Sequence, residues 1–156
     1  MTYLYSLLAL TIGLIVPLQA AINNQLKAVV GNSTVLAALV SFSVGTIALL
    51  CIAIATGQKL SALANLPKAE AWMLIGGLLG AVFVFGTTLI APKLGAATML
   101  SLIITGQIIA SMLFDRFGWF AMPLKDISWP RLLGAVLVVI GVLLVNFGNE
   151  WIKVKS

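Results

Sequence analysis

Charge interrupts this sequence at only a few places, and between those places it runs for about twenty residues at a time without any. A helix rises about 1.5 Å per residue, so about 20 apolar residues cross the roughly 30 Å hydrocarbon core of a bilayer. Stretches of that kind fall at about 3–27, 35–56, 71–91, 95–114 and 131–148. In lipid every backbone N–H and C=O must be paired within the chain, which for isolated apolar segments means helix. The expected fold is therefore all-α, a polytopic membrane protein with about five transmembrane helices in a single transmembrane domain, 1–156. Only 8% of the residues are charged, against about 25% in a soluble domain, and the length leaves no room for a soluble catalytic head.

Several functions are excluded on the same grounds. The net charge of +5 comes from Lys and Arg scattered singly, with no basic patch interleaved with aromatics, so no nucleic-acid partner is expected. The chain has no His and a single Cys51 inside a predicted span, which removes the usual zinc site and any intrachain disulfide. No metal or other cofactor is expected. The spans hold no paired carboxylates and no nucleophile with a base, so the chain does not read as an enzyme. The N-terminal stretch lacks a basic lead and a cleavage site, and reads as a retained span rather than a signal peptide.

Two of the helices carry polar residues where lipid would not tolerate them. In the first, Gln19, Asn23 and Lys27 follow one another at a spacing of four and lie one above another. An amide in hydrocarbon needs a protein or water partner, so this face meets other helices or a wet cavity. Two roles are open: the wall of a transport path, or hydrogen-bonding glue at Gln19 with Asn23 to Lys27 as the headgroup-level end. In the fourth, Thr98, Ser101 and Thr105 form one stripe and Gln107, Ser111 and Asp115 an adjacent one. Gln107 is near mid-span, and the same two roles are open to it. Asp115 and Arg116 end that helix as a charged latch at the interface or as a solvated end.

The connections are short. Gly31-Asn32-Ser33-Thr34 closes one helix and caps the next. Residues 57–70 read as a loop of mixed charge without a motif. Pro92 suits the first turn of the fourth helix, making spans three and four an antiparallel hairpin. Trp119, Phe120 and Trp129 suit a segment in the headgroup layer. Small residues mark expected helix contacts: Ser41, Ser43, Gly45 and Thr46 in the second span, Gly76 and Gly80 in the third, and Gly134, Gly141 and Gly148 in the fifth. Thr87 and Thr88 after Gly86 either open the third helix toward a cavity or bond back to the preceding turn.

Five spans place Lys59, Lys68, Arg116, Lys125 and Arg131 on one side of the membrane and Lys27, Lys93, Lys153 and Lys155 on the other, so the nine cations split almost evenly. The positive-inside rule then sets no orientation. Such a chain can insert both ways, and two copies in opposite orientation form an inverted repeat with a site at their interface; an oppositely oriented paralogue fits the same count.

The order of these features resembles a known family. Residues 17–26, Ser41-Phe42-Ser43-Val44-Gly45, Trp72 with Gly76-Gly77-Leu78-Leu79-Gly80, Pro92-Lys93-Leu94-Gly95-Ala96-Ala97, Gly106-Gln107, Asp115-Arg116-Phe117-Gly118 and Arg131-Leu132-Leu133-Gly134 are similar to the YdcZ-like bacterial inner-membrane family of the drug/metabolite transporter superfamily. The resemblance covers essentially the whole chain. It implies a five-helix half of an inverted-repeat ten-helix transporter, multi-pass in the inner membrane and working as an antiparallel homodimer or paralogous heterodimer. Small multidrug resistance relatives place a glutamate in the first helix for proton or cation coupling; here the deepest polar residue of that helix is Gln19.

The expected function is secondary transport or export of a small polar or amphipathic metabolite or drug by alternating access. Gln19, Asn23 and Gln107 bind the substrate, Ser111 and Asp115 line its exit, and Gly76, Gly80, Gly134 and Gly141 pack the helices that slide. The alternative is a non-transporting accessory subunit that stabilises a larger membrane complex, its amides acting only as glue.

Overall fold

The computed structural model describes residues 2–153, and Lys155, counted above among the cations, lies outside them. Five long helices form, α1 (Thr2–Val29), α2 (Thr34–Ala55), α3 (Ile75–Leu94), α4 (Ala96–Phe117) and α5 (Trp129–Lys153). Five stretches, Tyr3–Val29, Thr34–Ala55, Ala71–Leu94, Ala96–Phe117 and Trp129–Asn149, are long and apolar enough to cross a membrane. The chain is an all-α polytopic membrane protein. Its contacts gather into two compact units, Met1–Lys93 and Leu94–Ser156.

In the first unit α1 packs against α2. Gly31 and Asn32 take positive φ between them, and the Ser33 side chain then accepts from the Leu36 N–H at 3.2 Å to cap α2. Small residues form the buried side of this pair: Ala20 on α1 and Thr34, Ala37 and Ala38 on α2. Close approach of two backbones, rather than a core of large side chains, holds it. Farther along, α2 meets α3 where an added Cβ on Gly80 would lie 3.3 Å from the Phe42 ring. At Gly76 the same added carbon meets no described atom within 4 Å.

The stretch 57–70, expected to be a plain loop, contains a 3₁₀ helix at Leu60–Lys68. Its pattern was hidden because a 3₁₀ helix repeats every three residues, a period that neither helical nor strand patterning tests. Leu60, Leu63 and Leu66 stand on one ridge, all exposed, while Lys68 Nζ donates to Asn65 Oδ1 at 2.9 Å. An apolar ridge beside lysine-bearing ends, joined to two membrane-spanning helices, suits the headgroup boundary. A short 3₁₀ turn, Ala71–Leu74, leads into α3, with the Trp72 indole N–H donating to the Glu70 carboxylate.

Pro92 is placed in the last turn of α3 and not, as expected, in the first turn of α4. The helix break is Gly95, whose φ of 80° and ψ of 154° only glycine adopts without strain, so α3 runs on to Leu94. Thr87 and Thr88 are buried, and both hydroxyls donate to the Val84 carbonyl, at 3.1 and 2.8 Å. The back-bonded reading of this pair therefore holds, and α3 is not opened by it.

In the second unit α4 packs along α5. Gly118 ends α4 with a φ of 62°, and an added Cβ there would come 3.1 Å from Leu124, so both conformation and space call for glycine. Phe114, Phe117, Trp119 and Phe120 cluster on either side of it, Phe117 and Trp119 stacked at 5.2 Å and Phe114 and Phe120 edge-to-face at 5.5 Å. Pro130 is the second residue of α5, where the missing N–H costs nothing. At Gly134, Gly141 and Gly148 an added Cβ meets no described atom within 4 Å, so α4 does not pack against this seam.

The ridge is testable with single bimane-labelled cysteines in a Cys51→Ser background reconstituted in vesicles. Bimane at position 63 is expected to emit to the blue of bimane at position 65 and to be quenched more strongly by lipid-borne spin labels. Equal spectra at the two positions would place the 3₁₀ helix in water.

Candidate functional site

The site in the first unit is built on the polar end of α1. Gln19 lines a pocket of about 180 Å³ with Ser41, Phe42, Gly45, Thr46 and Leu49 of α2. Gly45 supplies room opposite the amide, and the Thr46 hydroxyl donates back to the Phe42 carbonyl at 2.8 Å, which leaves its lone pairs as acceptors. The segment from Ser41 to Thr46, read from sequence as packing, thus supplies the facing wall. One turn past Gln19, Asn23 is only 2% exposed, and its Nδ2 has no hydrogen-bond partner among the described residues. Leaving such a donor unmatched costs about 1–3 kcal/mol. Lys27 follows on the same face, half-buried.

Phe42 also lines a second, apolar cleft of about 350 Å³ between α2 and α3, with Val35, Ala38, Leu39, Ala81, Val82 and Phe85. One aromatic ring is therefore the shared wall of a polar pocket and an apolar one. Gly80 is what lets that ring lie against α3. Sequence reasoning missed Phe42, although its place between Ser41 and Ser43 in a small-residue segment was a signal.

In the second unit the two polar stripes of α4 separate. Ser101 donates to the Thr98 carbonyl at 2.9 Å and accepts from Asn146 Nδ2 of α5 at 3.3 Å, so this stripe meets the neighbouring helix. Asn146 was not anticipated. An amide directly after a run of Val, Leu and Ile was the available sign. On the adjacent stripe Gln107 and Ser111 are exposed, and the Ser111 hydroxyl donates back to Ile108 at 2.9 Å.

Asp115 is engaged by a partner other than its neighbour. Its carboxylate accepts from Arg131 of α5 at 2.7 Å, while Arg116 pairs with Asp126 at 2.7 Å. Adjacent helix residues point about 100° apart and do not face each other, so Asp115 and Arg116 cannot form the latch expected of them. Each reaches across the connection instead, and Lys125 N–H adds a bond to the Asp115 carbonyl at 2.9 Å. The side chain of Asp115 is 22% exposed, whereas that of Asp126 is 92% exposed, so only the Asp115–Arg131 pair is shielded enough to matter.

Comparison with known proteins agrees with this architecture. The family described as "Putative inner membrane exporter, YdcZ" matches residues 4–144. The chain belongs to the YdcZ family. It is 38% identical to the inner membrane protein YdcZ of Escherichia coli (strain K12) over 74 residues, which are 47% of this chain and 49% of that protein. The aligned part thus spans about half the length of the relative. No solved structure matches the chain. The family's description is that of an exporter and not of an enzyme class, and the five spans make the chain a multi-pass protein of the inner membrane.

The Asp115–Arg131 pair can be tested by a double-mutant cycle read as unfolding in detergent. Asp115→Asn and Arg131→Gln are each expected to destabilise, with a coupling of about 0.5–1 kcal/mol, and the same cycle on Arg116 and Asp126 is expected to show none. Coupling at the second pair and not the first would reverse this assignment.

Proposed function

We propose that the chain is one half of a secondary exporter for a small amphipathic metabolite carrying hydrogen-bond acceptors. The observation that carries this reading is the pairing of two cavities across Phe42, with Gln19 on the polar side and the sealed, unmatched Nδ2 of Asn23 one turn away. A carboxylate, phosphate or carbonyl head suits an unmatched N–H donor beside Lys27, and an apolar tail suits the α2–α3 cleft. A cationic head is less well served, because the spans described contain Asp115 as their acidic residue near the polar stripes and Arg131 already neutralises it.

Transport in this proposal proceeds by alternating access in a pair of oppositely oriented copies. Gln107, exposed near the middle of α4, supports a second chain, because an amide facing hydrocarbon costs several kcal/mol. The open glycines of α5 offer that chain a narrow seam, and the even split of cations permits both orientations. Gln107 and Ser111 then contribute to the site from the paired face, and Asp115 holds α4 to α5 at its margin.

Proteoliposomes loaded with radiolabelled octanoate, octylphosphate, octylamine and acetate provide the test. Octanoate or octylphosphate is expected to leave faster than from protein-free vesicles, with octylamine and acetate unaffected. Gln19→Ala and Asn23→Ala should each slow that release by about tenfold, the worth of one hydrogen bond to a charged head. Release unchanged in Gln19→Ala and Gln107→Ala would rule out the site, and a chain that moves nothing yet copurifies in fixed ratio with another protein would be an accessory subunit.

Orientation is a separate expectation. With Cys51→Ser and Gln58→Cys, an impermeant maleimide added to intact cells should label about half of the molecules that it labels after lysis. All-or-none labelling would replace the homodimer by a partner of fixed opposite orientation.

A further inference from the structure

The two cavities of the first unit follow one another along α2. The apolar cleft of about 350 Å³ draws on positions 35–42 of that helix, and the polar pocket of about 180 Å³ on positions 41–49. Phe42 is the one residue common to both linings, and it stands where the two meet. Its ring is directed at α3: a Cβ added to Gly80 would lie 3.3 Å from Cζ, the tip of the ring, and 3.6 Å from Cε1. A side chain rooted on α2 with its tip at α3 crosses the space between the two helices as a bar.

The seat of this bar depends on the residue beneath its tip. At 3.3 Å the methyl of an alanine at position 80 would be tighter than ordinary van der Waals contact, so the ring would have to give way by a few tenths of an ångström. The ring has freedom to do so. Phe42 is 37% exposed, so its neighbours do not enclose it, and a long side chain in a helix has two staggered χ1 wells open to it.

In the exporter reading, on which this inference rests, an anionic head lies by Gln19 and its tail in the α2–α3 cleft, so head and tail join at Phe42. We propose that Phe42 is the specificity-determining residue of that site. Its ring lets an unbranched alkyl chain, one methylene wide, run from the pocket into the cleft and turns away tails as wide as a saturated ring. Gly80 is the positioning residue that seats the bar against α3. Forcing extra width past a packed side chain carries the cost of overpacking, and small differences in apolar shape of this kind discriminate by tenfold or more.

Proteoliposomes of the full chain provide the test, with pairs of anions equal in head and carbon number and unequal in width: octanoate against cycloheptanecarboxylate, and octylphosphate against cyclooctylphosphate. The natural chain is expected to release the straight member of a pair about tenfold faster than the cyclic one, and Phe42→Ala to bring the two within about twofold. This ratio does not depend on how much of a variant is folded. Gly80→Ala should slow the straight member about threefold, and adding Phe42→Leu, which cannot reach position 80, should restore it. A double variant slower than either single one would show that the two residues only hold the helices together, and overturns the proposal. Equal release of straight and cyclic anions by the natural chain, or a preference that survives Phe42→Ala, overturns the selector and leaves the exporter standing. Release of neither member of either pair by the natural chain overturns the exporter reading and the selector with it.

Discussion

Hydrocarbon offers no partner to a stray polar group, and the arrangement of this chain follows from how each polar side chain meets that condition. The hydroxyls meet it locally. Thr11, Ser43, Thr46, Thr88, Thr105 and Ser111 each donate to a carbonyl three or four residues back in their own helix. Amides cannot do this completely, since each has two donors and an acceptor pointing in divergent directions. Asn146 shows the limit: Val142 takes one N–H, Ser101 on another helix takes the second, and the oxygen is left over. Amide positions, more than hydroxyls, are therefore where this structure retains unmet bonding capacity.

The five spans were legible because apolar length is a strong signal in a chain with so little charge, and helix bounds moved by only a few residues. Turn chemistry at Gly31 to Ser33 was legible for the same kind of reason, since few residues tolerate positive φ. Other features depended on information that linear patterning does not carry. The period of Leu60, Leu63 and Leu66 belongs to a 3₁₀ helix. Pro92 fits the last turn of one helix as well as the first turn of the next, and Gly95 decides between them. The partner of Asp115 is sixteen residues away, across a connection whose path no local rule gives.

The candidate site was legible in its amides and not in its walls. Gln19 and Asn23 stand out as polar residues in an apolar helix, but Phe42 is one aromatic among many. Its significance comes from position: it borders both the Gln19 pocket and the apolar cleft, and its ring rests against the one face of α3 where Gly80 leaves room. A larger residue at position 80 would push the ring toward the polar pocket. Two helices therefore set the shape of a site that one helix's polarity announces.

Gln107 raises the remaining issue of what faces α4. Gln107 is exposed, and the bonds of Ser101, Thr105 and Asn146 are directed elsewhere. Ser111 one turn on has satisfied its own proton, so it offers Gln107's face an acceptor but no donor. A lipid-facing amide near mid-span is costly, while one facing a second protein surface or a wet cavity is not. The near-even split of cations removes the usual barrier to a reversed copy, and the open glycine seam of α5 supplies a surface on which two backbones approach closely. The proposed pairing with a second chain would bring these three features into one interface.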